Sequence, residues 1–316
     1  MATQGYTANS ATAAPKLDGF QCLSVATKQG SIFLHVGGSG FPILLLHGFP
    51  ETSLMWHAIA PILSSEFTII AADLPGYGLS ECPRAEENHA AMSKRSMAAS
   101  LVAVMQKLGH QHFAIVGHDR GGRVAYRAAL DHPDRVAAIA VLDIIPTFDV
   151  WERADARMAL AFWPFLLLAQ PARLPEQLIS AAPDMIINHA LAEWGSSPDT
   201  FPSWLRTAYV EVLRDRAHVH AICEEYRAAA TIDRKIDRND LEAGRRIECP
   251  LLALWSSGGP LDTWYEHAGG PLATWRRWAG DVRGMPVEGG HFFPEERPDV
   301  TAKLIRKFLQ KCAAAP

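Results

Sequence analysis

The chain has 316 residues, 48% hydrophobic and 20% charged, with a net charge of -4. That composition belongs to an ordinary globular protein with enough length for a sizeable core, and it lacks the basic footprint of a nucleic-acid binder. The longest apolar runs, such as Pro42–Leu46 and Ala159–Ala169, fall short of the roughly 18–20 residues of a membrane helix, and five scattered cysteines without a CxxC pair suggest neither a disulfide framework nor a zinc ribbon.

Residues 1–18 are rich in Ala and Thr, and Lys16 is their only basic residue. They lack the charged start and apolar stretch of a secretory signal, so they read as a disordered tail on a cytoplasmic protein. Ser31–Val36 alternates apolar and polar residues, as a half-exposed strand does. Gly37–Gly40 turns the chain; without a following Lys-Ser/Thr it is no phosphate loop. Pro42–Leu46, Phe67–Ala72, Phe113–Val116, Val136–Leu142 and Leu251–Trp255 are continuous apolar runs, the pattern of strands buried on both faces of a parallel sheet. Helical patterns over Ser93–Leu108 and Gly121–Leu130 separate them, which implies an α/β fold. From Thr147 to about Arg245 no strand run occurs, and the segment reads as an all-helical insertion. The α/β rhythm resumes at Pro250 and ends in a helix near Thr301–Lys311. The expected organisation is a core of 19–146 and 246–316 interrupted by a helical cap, 147–245.

Four motifs carry chemistry. Gly117-His118-Asp119-Arg120-Gly121 joins a strand to a helix, the setting of the nucleophile elbow G-x-S-x-G, with aspartate in the serine position. His47-Gly48-Phe49-Pro50 follows another strand. In this architecture it supplies an oxyanion-hole N–H, here that of Phe49, with the amide of Arg120 as the second donor. Asp73–Ser80 (DLPGYGLS) is a turn after a strand, and Gly289–Glu295 (GGHFFPE) places His291 late in the chain.

In this order and spacing the motifs resemble the α/β-hydrolase superfamily, over nearly the whole chain after residue 20. More narrowly, GHDRGGRVAYR, LDIIPT, LAQPARLPE and CEEYRA resemble the fluoroacetate (haloacetate) dehalogenases. The resemblance implies a mostly parallel eight-stranded sheet flanked by helices, an inserted helical cap, a small carboxylate substrate, a homodimer and no cofactor or metal.

An aspartate nucleophile has a chemical consequence. A carboxylate is a poor acyl nucleophile but can displace a leaving group from an sp³ carbon, forming an alkyl ester of Asp119. Water activated by His291 then attacks the ester carbonyl. This disfavours esterase, lipase or protease activity and favours a carbon–halogen or epoxide electrophile. Two carboxylates compete to orient His291. Asp143 sits where the dehalogenases place their acid, and Asp262 sits where many other α/β-hydrolases carry theirs.

Arg120 and Arg123 lie on the first turn after the nucleophile, and an arginine fork binds a carboxylate bidentately. In the resembling family these positions hold the substrate carboxylate. The departure lies in the cap. The family's His-Trp pair, which with a tyrosine hydrogen-bonds the departing fluoride, falls on Pro164 and Phe165 here. Tyr226 keeps the third place, and Trp163 offers an indole N–H next door. Weak defluorination and a more apolar pocket are therefore expected.

Other readings stay open. An epoxide hydrolase shares the Asp-His-Asp machinery but uses two cap tyrosines, for which the cap offers Tyr209 and Tyr226. A non-catalytic binding protein on the same fold would ordinarily lack one of the catalytic residues, which are all present here. His218, His220 and Cys223 fit a helix better than a metal site.

Overall fold

The computed structural model describes residues 6–8, 16–266 and 269–313. A single sheet runs through it in the strand order β1-β2-β3-β5-β4-β6-β7-β8-β9. These strands are Tyr6–Ala8, Gln21–Thr27, Gly30–Gly38, Phe41–Leu46, Phe67–Ala72, Phe113–His118, Val136–Leu142, Leu251–Ser256 and Val282–Val287, numbered β1 to β9 along the chain. The β1/β2, β2/β3 and β3/β5 pairs are antiparallel, and every pair from β5 across to β9 is parallel. The parallel strands are the apolar runs seen in the sequence. Positions in β6 and β8 are all buried, because helices cover both faces. The ninth strand, β9, contains Pro286, tolerated because the strand lies at the sheet edge.

Two features depart from expectation. The seven-residue strand β2 carried no strong signal, because only Val25 of it is buried. The reading of 1–18 as a disordered tail is corrected in part. Tyr6–Ala8 adds an antiparallel edge strand beyond the expected eight, pairing with Leu23–Val25, and Leu17 is buried. Residues 1–5 and 9–15 of that tail lie outside the described residues.

The sheet sets the site by its topology. β4 has β5 on one side and β6 on the other, so the chain reverses its winding direction between β4 and β6. The crevice at the carboxyl ends of strands at such a switch point is where open α/β sheets bind ligands. The loops leaving β4 and β6 are His47–Pro50 and the turn at Asp119.

Between Thr147 and Glu242 the chain forms helices and no strand. This segment is anchored to the core helix Asp119–Asp131. Tyr126 donates to Asp237 Oδ2 at 2.7 Å, and Arg127 Nη1 donates to Asp240 Oδ2 at 2.6 Å. Among the described residues no helix is long and apolar enough to cross a membrane.

Candidate active site

The elbow is built by absent side chains. A Cβ on Gly117 would fall 2.4 Å from the carbonyl carbon of Gly121, and one on Gly121 would fall 2.4 Å from Leu46 O. The turn between them forces Asp119 to φ 43°, in the left-handed region. Such a residue costs on the order of 1–3 kcal/mol and persists because its surroundings over-determine it. Gly48 completes the approach, since a Cβ there would lie 2.4 Å from Asp119 Cβ. The loop after β4 can therefore touch the nucleophile. Phe49 N donates to Asp119 Oδ1 at 3.0 Å.

His47 holds that loop in shape. Leu74 N donates to its Nε2 at 2.9 Å, so Nε2 is unprotonated and Nδ1–H donates to Gly48 O at 2.8 Å. The buried ring is consistent with this neutral form: burial lowers its pKa.

Asp119 is kept ionised. Burial raises its pKa, but the charges of His291, Arg120, Arg123 and His118 outweigh it and bring the value down to about 2. The two arginines are differently employed. Arg123 lines the cavity, with Nη1 on Ile145 O at 3.1 Å and Thr147 Oγ1 at 3.2 Å. Its Nε is buried without a partner. Arg120 is not on the cavity wall. Its Nε donates to both oxygens of Glu225 at 2.8 Å, and its guanidinium lies 4.0 Å from the centre of the Tyr226 ring. Nη1 of Arg120 is also buried and unpartnered. Glu225 accepts from Lys94 and from Tyr77 as well, so it is a buried anion shared by two cations.

His291 meets Asp143. Nδ1 of the histidine lies 2.7 Å from Asp143 Oδ2, and Ser256 N donates to Asp143 Oδ1 at 2.9 Å. Nδ1–H therefore points at the acid and leaves Nε2 with its lone pair. Asp143 also sits in the left-handed region, at φ 52°. Asp262, the alternative acid, is occupied elsewhere. It accepts from Trp255 Nε1 at 2.8 Å and Gly258 N at 2.9 Å, and so secures the loop after β8.

The helical insertion reaches His291 directly. His291 N donates to Trp194 O at 2.8 Å, and Trp194 stacks on Phe292 with ring planes 12° apart. A Cβ on Gly290 would sit 2.3 Å from the carbonyl carbon of Gly195. Glu296 Oε1 accepts from Gly290 N at 2.8 Å and from the cap's Ser196 Oγ at 2.6 Å.

Behind the base lies a buried acid pair. His118 Nε2–H donates to His291 O at 2.9 Å, and its Nδ1 lies 2.9 Å from Glu51 Oε2. Tyr209 OH donates to Glu295 Oε1 at 3.3 Å. The remaining oxygens, Glu51 Oε1 and Glu295 Oε2, are buried without a hydrogen-bond partner. The two carboxyls are near enough for the charge of Glu51 to bear on Glu295. Burial pushes Glu51 up to about 7, and burial together with the Glu51 charge pushes Glu295 well above the usual carboxylate range.

The sign follows by linkage. A carboxyl with a raised folded pKa contributes stability that is full below its unfolded value and is lost as pH rises through the folded one. Buried His35 and His47, with lowered pKa values, act in the opposite sense. The pair is therefore read as a difference. As pH rises above the usual carboxylate range, wild type should lose stability relative to Glu295→Gln. Urea unfolding at a series of pH values measures it, and parallel curves for the two proteins would refute a raised Glu295 carboxyl.

A cavity of about 560 Å³ opens above Asp119, His291 and Asp143. Trp163, Pro164, Phe165 and Tyr226, the residues expected in the leaving-group pocket, all line it. Trp163 Nε1 is buried and without a partner. Of the two cap tyrosines only Tyr226 is on the wall, because Tyr209 is turned to Glu295. His218 and His220 are engaged separately, with Gly76 O at 3.0 Å and Glu176 Oε1 at 3.1 Å.

Sequence reasoning missed Trp194, Glu225, Glu51 and Glu295. Glu225 stood inside the CEEYRA segment and Glu51 directly after HGFP. Their place inside or beside those motifs was their available signal. Trp194 had none, since its contact with His291 is made across the domain insertion.

The chain is similar to several known proteins. A family model described as the alpha/beta hydrolase fold matches residues 42–298. A fluoroacetate dehalogenase from a Burkholderia species is 42% identical, over 92% of this chain and 94% of its own length. A soluble epoxide hydrolase from Corynebacterium sp. (strain C12) is 30% identical, over 86% of this chain and 91% of its own. Among solved structures, an α/β hydrolase from Nostoc sp PCC 7120 superposes with a TM-score of 0.89 at 44% identity, covering 93% of this chain and 99% of that one. The chain belongs to the α/β-hydrolase superfamily and, within it, to the fluoroacetate (haloacetate) dehalogenase family.

Proposed function

We propose that the protein is a hydrolytic dehalogenase of 2-halo carboxylic acids that works through an ester of Asp119. The observation that carries this reading is the elbow itself. An ionised aspartate stands where acyl hydrolases carry serine, with Phe49 N–H already on Oδ1 and His291 paired to Asp143. Oδ2 displaces the halide from the substrate's C2, and the halide leaves with the bonding pair. His291 Nε2 then takes a proton from water as the water oxygen attacks Asp119 Cγ. The negative charge that develops on Oδ1 falls on the Phe49 N–H, with the Arg120 amide as second donor. Collapse breaks the acyl–oxygen bond and releases a 2-hydroxy acid.

The substrate carboxylate was expected on Arg120 and Arg123, and it is assigned here to Arg123, which lines the cavity. Its Nε is a buried cationic donor without a partner, and its guanidinium lies 4.9 Å from the centre of the Phe165 ring. Arg120, off the wall and paired to Glu225, contributes its charge from behind. The cap of 147–245 closes the site from above. A homodimer in the cytoplasm completes the proposal, supported by exposed apolar residues on the cap, Leu174, Leu178 and Met185.

Single turnover in ¹⁸O-labelled water tests the mechanism. The label should enter Asp119 first and reach the hydroxy acid only in later turnovers. The same preparation tests the leaving group. Neither Pro164 nor Phe165 can donate a side-chain hydrogen bond, and each lost bond to a developing anion is worth roughly 1.5–3 kcal/mol. Fluoride release from fluoroacetate should trail chloride release from chloroacetate by on the order of 10²–10⁴. Comparable rates by ion-selective electrode would show that another donor serves fluoride.

The epoxide reading is favoured by relatives and solved structures named as epoxide hydrolases, the Corynebacterium protein among them. Against it, Tyr226 is the only tyrosine among the described residues of the cavity wall.

A further inference from the structure

We infer that the electrophile this site is built for is a 2-halo carboxylic acid bearing an aryl-containing substituent on C2, rather than a haloacetate. The inference rests on the aspartyl-ester reading and adds the size and chemistry of the substrate.

Volume is the first observation. At about 30 Å³ per water, the 560 Å³ cavity has room for on the order of twenty waters. A two-carbon acid would displace only a few of them. The rest would remain against apolar walls, where their release is the usual source of binding free energy.

The second observation is how the walls are divided. Of the ionisable side chains on the wall, Asp119, His291, Asp143 and Arg123 come from the core side, and His189, Glu193 and Tyr226 from the cap side. The rest of the cap side is contributed chiefly by Phe162, Trp163, Phe165 and Trp194, with Ala161 and Leu160. Leu160 is 82% exposed, so the apolar wall runs out to solvent and does not close over a minimal substrate. Aromatic walls favour an aromatic guest, because edge-to-face and offset contacts add to simple burial. Pro164 and Phe165 extend this apolar face to the place where the family carries a His-Trp pair. The wall that loses leaving-group donors is the wall that gains apolar surface.

Atoms balance as in the shorter acids. The Asp119–C2 bond forms as the carbon–halogen bond breaks. Water then supplies the oxygen returned to Asp119, and the 2-hydroxy acid leaves with the original aspartate oxygen. Nothing beyond water is consumed.

The test compares two secondary bromides of similar intrinsic reactivity that differ in the phenyl ring, 2-bromo-3-phenylpropanoate and 2-bromopropanoate, as both enantiomers. For wild type, kcat/KM should be about 10–100-fold higher for the better enantiomer of the phenyl acid. Ala161→Trp fills the same wall and should bring that ratio towards one. A wild-type ratio at or below one for both enantiomers overturns the inference. The underlying reading is tested separately by intact mass. His291→Asn should gain an adduct on Asp119 from either acid. Absence of both adducts would overturn the ester mechanism, whereas both adducts without a phenyl preference would overturn only the substrate inference.

Discussion

Asp119→Asn should lower dehalogenation by at least about 10⁴-fold, the scale of removing a member of a catalytic triad. The loss is chemical. A carboxamide carries no charge and is a far weaker nucleophile toward an sp³ carbon. The fold should survive, because asparagine matches aspartate in size and accepts the left-handed conformation at φ 43° about as well. Phe49 N–H keeps an acceptor in the amide oxygen. Halide release measured on freshly purified variant, with peptide mass to exclude deamidation at residue 119, is the check. Undiminished activity in non-deamidated protein would eliminate Asp119 as the nucleophile.

His291→Asn should separate the two half-reactions. Alkylation of Asp119 needs no base, so one equivalent of halide should still be released. Hydrolysis of the ester needs the water deprotonated by Nε2, and steady turnover should fall about 10⁴-fold. The protein should therefore gain the mass of the substrate without its halogen, located on the peptide that contains Asp119. Wild type under the same conditions should show little or none. A variant that stalls without an adduct would place His291 in the first step instead. The Asp143 pairing makes the prediction sharper. With Nδ1 only 2.7 Å from Oδ2, the ring has one orientation and one tautomer in which to act.

The residues that meet at the candidate site were legible because they lie in short motifs at strand ends. Each motif needs glycine for a reason that acts within a few residues, as Gly117 and Gly121 illustrate. Apolar runs marked the parallel strands, since burial on both faces removes alternation. The antiparallel strand β2 was not legible, because burying one residue of seven leaves no pattern. The choice between Asp143 and Asp262 was open in the sequence, where both follow strands at suitable distances. In the structure Asp143 pairs with His291, whereas Asp262 is spent on Trp255 and Gly258. The role of Arg120 was half legible. Its place beside the nucleophile was plain, but its commitment to Glu225 depends on a contact between residues 105 apart in sequence.

The contacts of Trp194, Gly195 and Ser196 with Gly290, His291 and Glu296 bear on how such enzymes can diversify. Caps of this kind look like cassettes, replaceable wholesale to change what a conserved core acts on. Here the helical insertion includes part of the hinge pin, since its Trp194 carbonyl receives the amide of His291, the proposed base. A graft that imports a foreign cap without a glycine at 195 and a hydroxyl at 196 would disturb the histidine as well as the pocket. Exchanging this insertion would therefore call for exchanging the segment around 289–296 with it, because the pocket wall and the backbone of His291 share one set of contacts.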